Sequence, residues 1–109
     1  MRERRKYIRV PDHLKVNYRV LSQAKTTGYL TRNISQGGVS FFVSEFVPPG
    51  TILEIRLTIE KLVFSFETQV EVRWIKEHPQ DNRFEVGVEF VNIPQGALEH
   101  LIQYIKTII

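Results

Sequence analysis

The chain of 109 residues contains no cysteine, which excludes disulfide bonds and thiolate metal sites. Its three histidines, His13, His78 and His100, are far apart in sequence and lack the spacing of a zinc site. No apolar run approaches the roughly 20 residues of a membrane-spanning helix, and the N-terminus lacks the apolar segment of a secretory signal. We therefore expect a cytoplasmic protein with no metal site and no membrane span.

Most of the chain has no excess of positive charge. The excess lies in its first nine residues. Five of the 15 Lys and Arg residues lie within the first nine positions, against one acidic residue, so this arm carries a charge of +4. The other 100 residues include ten basic and eleven acidic residues, a net charge of −1. Because the positive charge is local, it predicts an anionic partner for the arm and does not indicate a broad face for duplex DNA.

Apolar and polar residues alternate along most of the chain. This two-residue period is typical of half-buried strands, and it predicts six of them, over 14–20, 28–34, 39–43, 53–59, 64–74 and 84–90. Turn-forming residues separate the runs, notably at 33–38 and 48–50. The alternation also predicts that Trp74 faces the core and that 76–82 is a polar loop.

From Pro94 onward the apolar residues are spaced by three and four, which predicts an amphipathic helix. Six antiparallel strands with short turns, followed by one helix, indicate an all-β fold: a small six-stranded antiparallel β-barrel with a C-terminal α-helix. Four apolar helix residues exceed what one barrel end can cover, which leaves a homodimer or a partner contact open: Leu101, Ile105, Ile108 and Ile109.

Two short motifs carry a resemblance to a known family. The first is R-x-x-x-R at Arg5 and Arg9, and the second, about 25 residues later, is N-x-S-x-x-G at Asn33, Ser35 and Gly38. Their order and spacing on this strand plan resemble the PilZ domain, a receptor for the bacterial second messenger cyclic di-GMP. The resemblance covers nearly the whole chain. It implies a split-barrel fold, with residues 1–12 as a flexible basic arm and residues 13–109 as the barrel domain with its helix.

The resemblance also implies how the ligand is bound. Arginine presents a planar fork that suits phosphate oxygens or the O6 and N7 atoms of guanine, so Arg5 and Arg9 are expected to contact both groups. Asn33 and Ser35 are expected to hydrogen-bond guanine, and Gly38 to let it approach the backbone. Position 33 departs from the more frequent Asp. An amide has one acceptor oxygen where a carboxylate has two, which predicts weaker binding.

Arg4 directly precedes the first motif. In the family, a long basic side chain at this place accompanies two stacked nucleotide molecules, so Arg4 implies a stacked pair of ligands. Arg2 and Lys6 are expected to add only general positive charge. The resemblance further implies that ligand binding orders the arm against the barrel and creates a surface for a downstream protein partner.

Other interpretations stay open at this point. A basic terminal run is ordinarily a solvated tail, and 33–38 taken alone would be only a loop. The chain is then either a protein-interaction module of the same fold without nucleotide binding, or a small barrel that binds single-stranded nucleic acid through its arm. Ser35 lacks the G-x-S-x-G frame of a nucleophile, so no enzymatic activity is predicted.

Overall fold

The computed structural model describes residues 10–11, 14–20 and 27–108. Within these ranges the chain forms strands, one short 3-10 turn and one helix. In chain order they are β1 (Val10–Pro11), β2 (Lys15–Val20), β3 (Thr27–Ile34), β4 (Gly38–Val43), β5 (Ile52–Ile59), the 3-10 turn (Glu60–Leu62), β6 (Phe64–His78), β7 (Arg83–Val91) and α1 (Gln95–Ile108).

Strands β2 to β7 correspond to the six predicted strands, and all of their pairings are antiparallel. The sheet order is β1-β3-β2-β5-β6-β7-β4, and an additional pairing between β3 and β4 closes the ring. Strand β1 pairs with the end of β3, with Val10 opposite Ile34 and Pro11 opposite Asn33. The predicted antiparallel barrel with a C-terminal helix is confirmed.

The barrel core follows the alternation of the sequence. Alternate side chains of β2, β4 and β5 point inward and are buried, as the two-residue period predicts. The largest of the fully buried side chains is Phe41, and Tyr18 packs against it with ring centroids 5.5 Å apart. The other inward residues are mostly branched aliphatic ones, which fill a narrow barrel well: Val16, Val39, Val43, Leu53, Ile55, Leu57 and Ile59.

The prediction that Trp74 faces the core is wrong, because β6 contains a bulge. Val72 pairs with Val88 of β7, but Trp74 pairs with Gly87, so Arg73 is an extra residue. This reverses the alternation: Trp74 lies on the outer face with Gly87, and Ile75 takes the inward place. Strand β6 also continues to His78, so the predicted loop over 76–82 is shorter than expected.

Helix α1 packs one face into the same core. Its buried residues are Ala97, Leu101, Tyr104 and Ile105, of which Tyr104 was not predicted. Since Leu101 and Ile105 are buried in their own domain, they are not available for a dimer contact. The ring of His100 stacks on Phe64 at the start of β6, with centroids 4.0 Å apart. In the part of the chain that the structure describes, this helix is neither long nor apolar enough to cross a membrane.

Candidate ligand-binding site

The turn between β3 and β4 is organised by the side chain of Ser35. Its hydroxyl oxygen accepts hydrogen bonds from the backbone N–H groups of Gly37 and Gly38, at 3.1 and 3.2 Å. The hydroxyl itself donates to the carbonyl of Gly38, at 3.3 Å, and the backbone N–H of Ser35 donates to the same oxygen at 2.9 Å. Ser35 is buried, so these bonds are shielded from water.

A serine hydroxyl offers one donor and two acceptor lone pairs. The turn uses all three in Ser35. The structure therefore gives this residue a local task, which is to fix the backbone between β3 and β4. Direct hydrogen bonding of Ser35 to guanine stays a prediction, and it would require the hydroxyl to exchange one of these bonds.

Gly38 is required by the packing of two strands. A Cβ atom at this position would lie 1.9 Å from the carbonyl oxygen of Val88, a backbone atom that cannot move aside. The positive φ that glycine permits is not used here: among the described glycines it occurs at Gly50, at +92°. The absence of a side chain at Gly38 therefore lets β4 approach β7 closely.

A second glycine lies nearby on the same outer face. A Cβ atom at Gly87 would come within 2.1 to 2.6 Å of three atoms of the Trp74 indole. The edge of the indole therefore lies directly over Gly87. Trp74 is half-buried, so part of its ring still meets the surface.

One row of paired residues crosses the outer face of four strands and consists of Asn33, Ser40, Gly87 and Trp74. Asn33 pairs with Ser40, Ser40 with Gly87, and Gly87 with Trp74. The amide nitrogen of Asn33 donates to the hydroxyl of Ser40 at 3.4 Å, which turns its acceptor oxygen away from Ser40. The row joins the predicted residue Asn33 to three residues that the motifs did not include.

A cavity of about 570 Å³ opens beside this row, within the range of small-molecule sites. Ser35 and Gly38 of the second motif line it, and Asn33 lies in the adjoining strand outside its lining. Arg4, Arg5 and Arg9 fall outside the described residues. The remaining walls come from the turn, β4, β6, β7, the segment after β7 and α1: Gln36, Gly37, Val39, Arg73, Trp74, Gly87, Val88, Glu89, Phe90, Ile93 and Leu98.

The charged groups at the cavity pair with each other. Arg73 donates to Glu89 at 2.9 Å and to Glu71 at 3.4 Å. The hydrogen bond and the charge of Glu89, with a smaller effect of Glu71, raise the pKa of Arg73 above its ordinary value. Among the described residues that line the cavity, Arg73 and Glu89 are one cation and one anion, so this part of the wall has no net charge.

Four wall residues were missed by the sequence motifs: Arg73, Trp74, Gly87 and Glu89. They lie on β6 and β7, about 35 to 55 residues after the second motif, and only the sheet brings them to it. One signal was present in the sequence. Gly87 interrupts a strand of otherwise large residues, and a glycine within a strand often marks a bulge or a close approach.

A second cluster lies further along the same outer face. Glu85 is 8% exposed, although the alternation placed it on the outward side. Its carboxylate is 3.2 Å from His78 and 3.5 Å from Arg32. Phe42, opposite Glu85 on β4, lies beneath the guanidinium of Arg83, whose central carbon is 3.6 Å from the ring centroid. Across the described ranges, no group of three His, Cys, Asp or Glu residues is arranged to hold a metal ion.

Comparison with solved structures places this fold among known ones. The chain is similar to the Bacillus subtilis inhibitor of motility MotI/DgrA, with a TM-score of 0.79 and 24% identity over 94% of this chain and 49% of that one. It is also similar to the PilZ domain of Escherichia coli YcgR with c-di-GMP, with a TM-score of 0.75 and 15% identity over 97% and 92% of the two chains.

A third similar structure is the Klebsiella pneumoniae MrkH–c-di-GMP complex, with a TM-score of 0.78 and 12% identity over 94% of this chain and 51% of that one. The chain thus spans about half the length of the MotI and MrkH chains. No curated protein matches the chain significantly in sequence. At these identities the structural likeness establishes the fold alone.

The family comparison reaches further than the fold. The family described as PilZ domain matches residues 3–107, which include both motifs, every described strand and nearly all of α1. The match covers almost the entire chain, and the barrel, the closing helix and the turn at Asn33–Gly38 agree with it. The chain therefore belongs to the PilZ domain family.

Proposed function

We propose that this chain is a receptor domain for cyclic di-GMP and not an enzyme. Its family and the c-di-GMP complexes of the similar YcgR and MrkH chains support this ligand. The observation that carries the proposal is the cavity itself. It is lined by the turn of the second motif, and the end of the basic arm joins the sheet beside that turn.

Strand β1 follows the first motif directly in the chain and pairs with the end of β3. Val10 pairs with Ile34 and Pro11 with Asn33, so the arm enters the sheet next to the second motif. Arg9 is the residue before Val10, and consecutive Cα atoms are 3.8 Å apart. Arg5 is four residues further, about 13 Å in an extended chain. We propose that both arginines reach a ligand in the cavity.

The charge balance of the cavity explains why the arm is needed. Cyclic di-GMP carries two phosphate groups, whereas Arg73 is already paired with Glu89 and Glu71. The described wall thus offers no net positive charge to a dianion. The first nine residues carry +4, and the arginine fork forms two parallel hydrogen bonds to a phosphate. Arg5 and Arg9 are proposed to bind the phosphates and guanine.

The barrel is proposed to bind the bases. Asn33 offers an amide to guanine, Gly38 keeps the backbone accessible, and Ser35 holds the turn in shape and contributes its hydroxyl. Trp74 adds an aromatic surface at the cavity, and stacking of a base on an aromatic ring is worth about 1–3 kcal/mol. Ligand binding would order residues 1–12 against the barrel of residues 13–109 and so signal to a downstream protein partner.

Isothermal titration calorimetry with cyclic di-GMP tests the proposal. The parent chain is expected to bind, and Arg5→Ala and Arg9→Ala are each expected to weaken binding by about 1–3 kcal/mol. Arg56→Ala is the matched control, because Arg56 is exposed on β5 and paired with Glu67 away from the cavity. Unchanged affinity in both arm variants would contradict the assignment.

The same titration separates the two alternative functions. A PilZ-fold interaction module without nucleotide binding would give no heat with cyclic di-GMP. A binder of single-stranded nucleic acid would bind oligonucleotides with a strong salt dependence and would not prefer cyclic di-GMP to GTP.

The stoichiometry tests the role of Arg4. If Arg4 supports a stacked pair of ligands, the parent chain binds two molecules per site. Arg4→Leu is then expected to bind one, because a bulky apolar side chain cannot contact a second phosphate. A stoichiometry of one in both proteins would remove this role from Arg4 and leave the receptor function intact.

A further inference from the structure

Guanine presents two adjacent donors, N1–H and the 2-amino group, on one edge of its ring. A carboxylate accepts both at once, whereas the amide of Asn33 has one acceptor oxygen. Cyclic di-GMP carries two guanines, so one residue of this kind cannot serve both. A carboxylate elsewhere at the cavity would provide the missing acceptor.

We propose that Glu89 reads the N1–H and 2-amino edge of a guanine in this cavity. The inference rests on the proposed function and extends it to a residue outside both motifs. Glu89 lines the cavity, and its side chain is 54% exposed, so a ligand can reach the carboxylate. It lies directly opposite Gly38, which has no side chain, on the neighbouring strand.

The arrangement of β7 gives the base a place to lie. Gly87 and Glu89 are alternate residues of one strand and share the outer face, about 7 Å apart. The indole of Trp74 covers Gly87 from β6. A guanine that packs against the exposed part of the Trp74 indole would direct one edge along β7 toward the carboxylate of Glu89.

Arg73 is a positioning residue in this arrangement. Its guanidinium donates to one carboxylate oxygen of Glu89 at 2.9 Å, and it lines the cavity itself. A carboxylate has lone pairs for about four hydrogen bonds, so this contact does not exhaust Glu89. Arg73 fixes the direction of the carboxylate and keeps a cation beside it where the ligand enters.

The test compares two ligands that share the N1–H donor and differ only in the 2-amino group. Cyclic di-IMP lacks the 2-amino groups of cyclic di-GMP and keeps the rest of the molecule. Titration of the parent chain, Glu89→Gln and Glu71→Gln with both ligands gives the preference of each protein. Glu71 is the matched control because it also contacts Arg73 but is not among the described residues that line the cavity.

We expect the parent chain to prefer cyclic di-GMP, and Glu89→Gln to lose about 10-fold in affinity for it together with most of that preference. Glu71→Gln should keep the preference. Equal weakening of both ligands in Glu89→Gln, or an unchanged preference, would overturn the inference, since Glu89 would then act through charge alone or not at all. Circular dichroism melting curves establish that the variants are folded.

Glu89→Asp provides a second variant, which keeps the charge and withdraws the carboxylate by one methylene group. Like Glu89→Gln, it should show a weaker preference for cyclic di-GMP over cyclic di-IMP than the parent chain. Different results would contradict the receptor function and the role of Glu89. A parent chain that gives no heat with cyclic di-GMP contradicts the receptor function itself. A parent chain that binds, with Glu89 variants of unchanged preference, contradicts only the role of Glu89.

Discussion

The outer face of β4 and β7 carries two neighbouring surfaces of opposite construction. The open surface consists of Gly38 and Gly87 with Arg73, Trp74 and Glu89 around them. The filled surface consists of Phe42 and Glu85 with Arg32, His78 and Arg83 around them. Both belong to the same strand pairs: Ser40 opposite Gly87 is one row, and Phe42 opposite Glu85 is the next row with outward side chains.

The difference between the two surfaces lies in what the charged groups do. On the open surface Glu89 is half exposed and its partner Arg73 borders a cavity. On the filled surface the side chain of Glu85 is 10% exposed, and His78 and Arg32 both contact one of its carboxylate oxygens. A carboxylate buried in this way presents little surface to a ligand. The candidate site therefore lies where the strands lack side chains.

The largest loss of stability is expected when a methyl group is added at Gly38 on the open surface. Gly38→Ala sets a Cβ atom 1.9 Å from the carbonyl oxygen of Val88, so β4 and β7 must separate. We expect a loss of about 2–3 kcal/mol in the free energy of unfolding, measured by urea denaturation. Gly96→Ala is the control. Nothing lies within 4 Å of its added methyl group in α1, so this variant should be unchanged or slightly more stable.

If Gly38→Ala proved as stable as Gly96→Ala, the close approach of β4 and β7 would not depend on the glycine. The absence of an outward side chain at position 38 would then need another explanation. It would no longer account for the difference between the open and the filled surface.

The filled surface is expected to lose stability when its carboxylate is removed. Glu85→Ala leaves the largely buried His78 and the half-exposed Arg32 without their common partner. We expect a cost of about 2 kcal/mol in the free energy of unfolding. Glu67→Ala is the control, since its ion pair with Arg56 is 58% exposed on both sides and should be worth less than about 0.5 kcal/mol. Equal effects in the two variants would mean that burial of Glu85 adds nothing.

Ser35 borders the open surface. Removal of its hydroxyl tests whether the hydroxyl stabilises the turn or binds the ligand. Ser35→Ala removes three hydrogen bonds within the turn, and we expect a loss of about 1–2 kcal/mol in urea denaturation. Ser65→Ala, exposed on β6, should change stability by less than about 0.5 kcal/mol. A Ser35→Ala variant of parent stability that bound cyclic di-GMP poorly would instead make the hydroxyl a ligand group.

The sequence was sufficient for the barrel because its strands follow local alternation. Each inward residue of β2, β4 and β5 is determined by a two-residue period that a single strand carries by itself. The same holds for the turn at Asn33–Gly38, whose three motif residues are brought together by a few bonds of one hairpin. The barrel strands and this turn are local in sequence, so the sequence predicts them, and the ligand contacts of Asn33, Ser35 and Gly38 stay a prediction.

The bulge at Arg73 was not predicted because alternation runs through it without a break. It depends on the pairing of β6 with β7 and on the space above Gly87, neither of which a single strand reveals. The burial of Glu85 likewise depends on residues from other strands. The walls of the cavity and the contents of the filled surface are products of the sheet, so the motifs could not include Trp74 or Glu89.

The smallest loss of stability is expected when the arginine that covers Phe42 on the filled surface is removed. The guanidinium of Arg83 lies 3.6 Å from the ring centroid of Phe42 and also pairs with Asp81 at 3.1 Å. Arg83→Ala should cost about 0.5–1 kcal/mol in urea denaturation, because stacking on the ring is lost together with the ion pair. Asp81→Ala removes the exposed ion pair alone and should have almost no effect. If the two variants were equal, the arginine would not stabilise the ring, and the filled surface would depend on Glu85 and its partners alone.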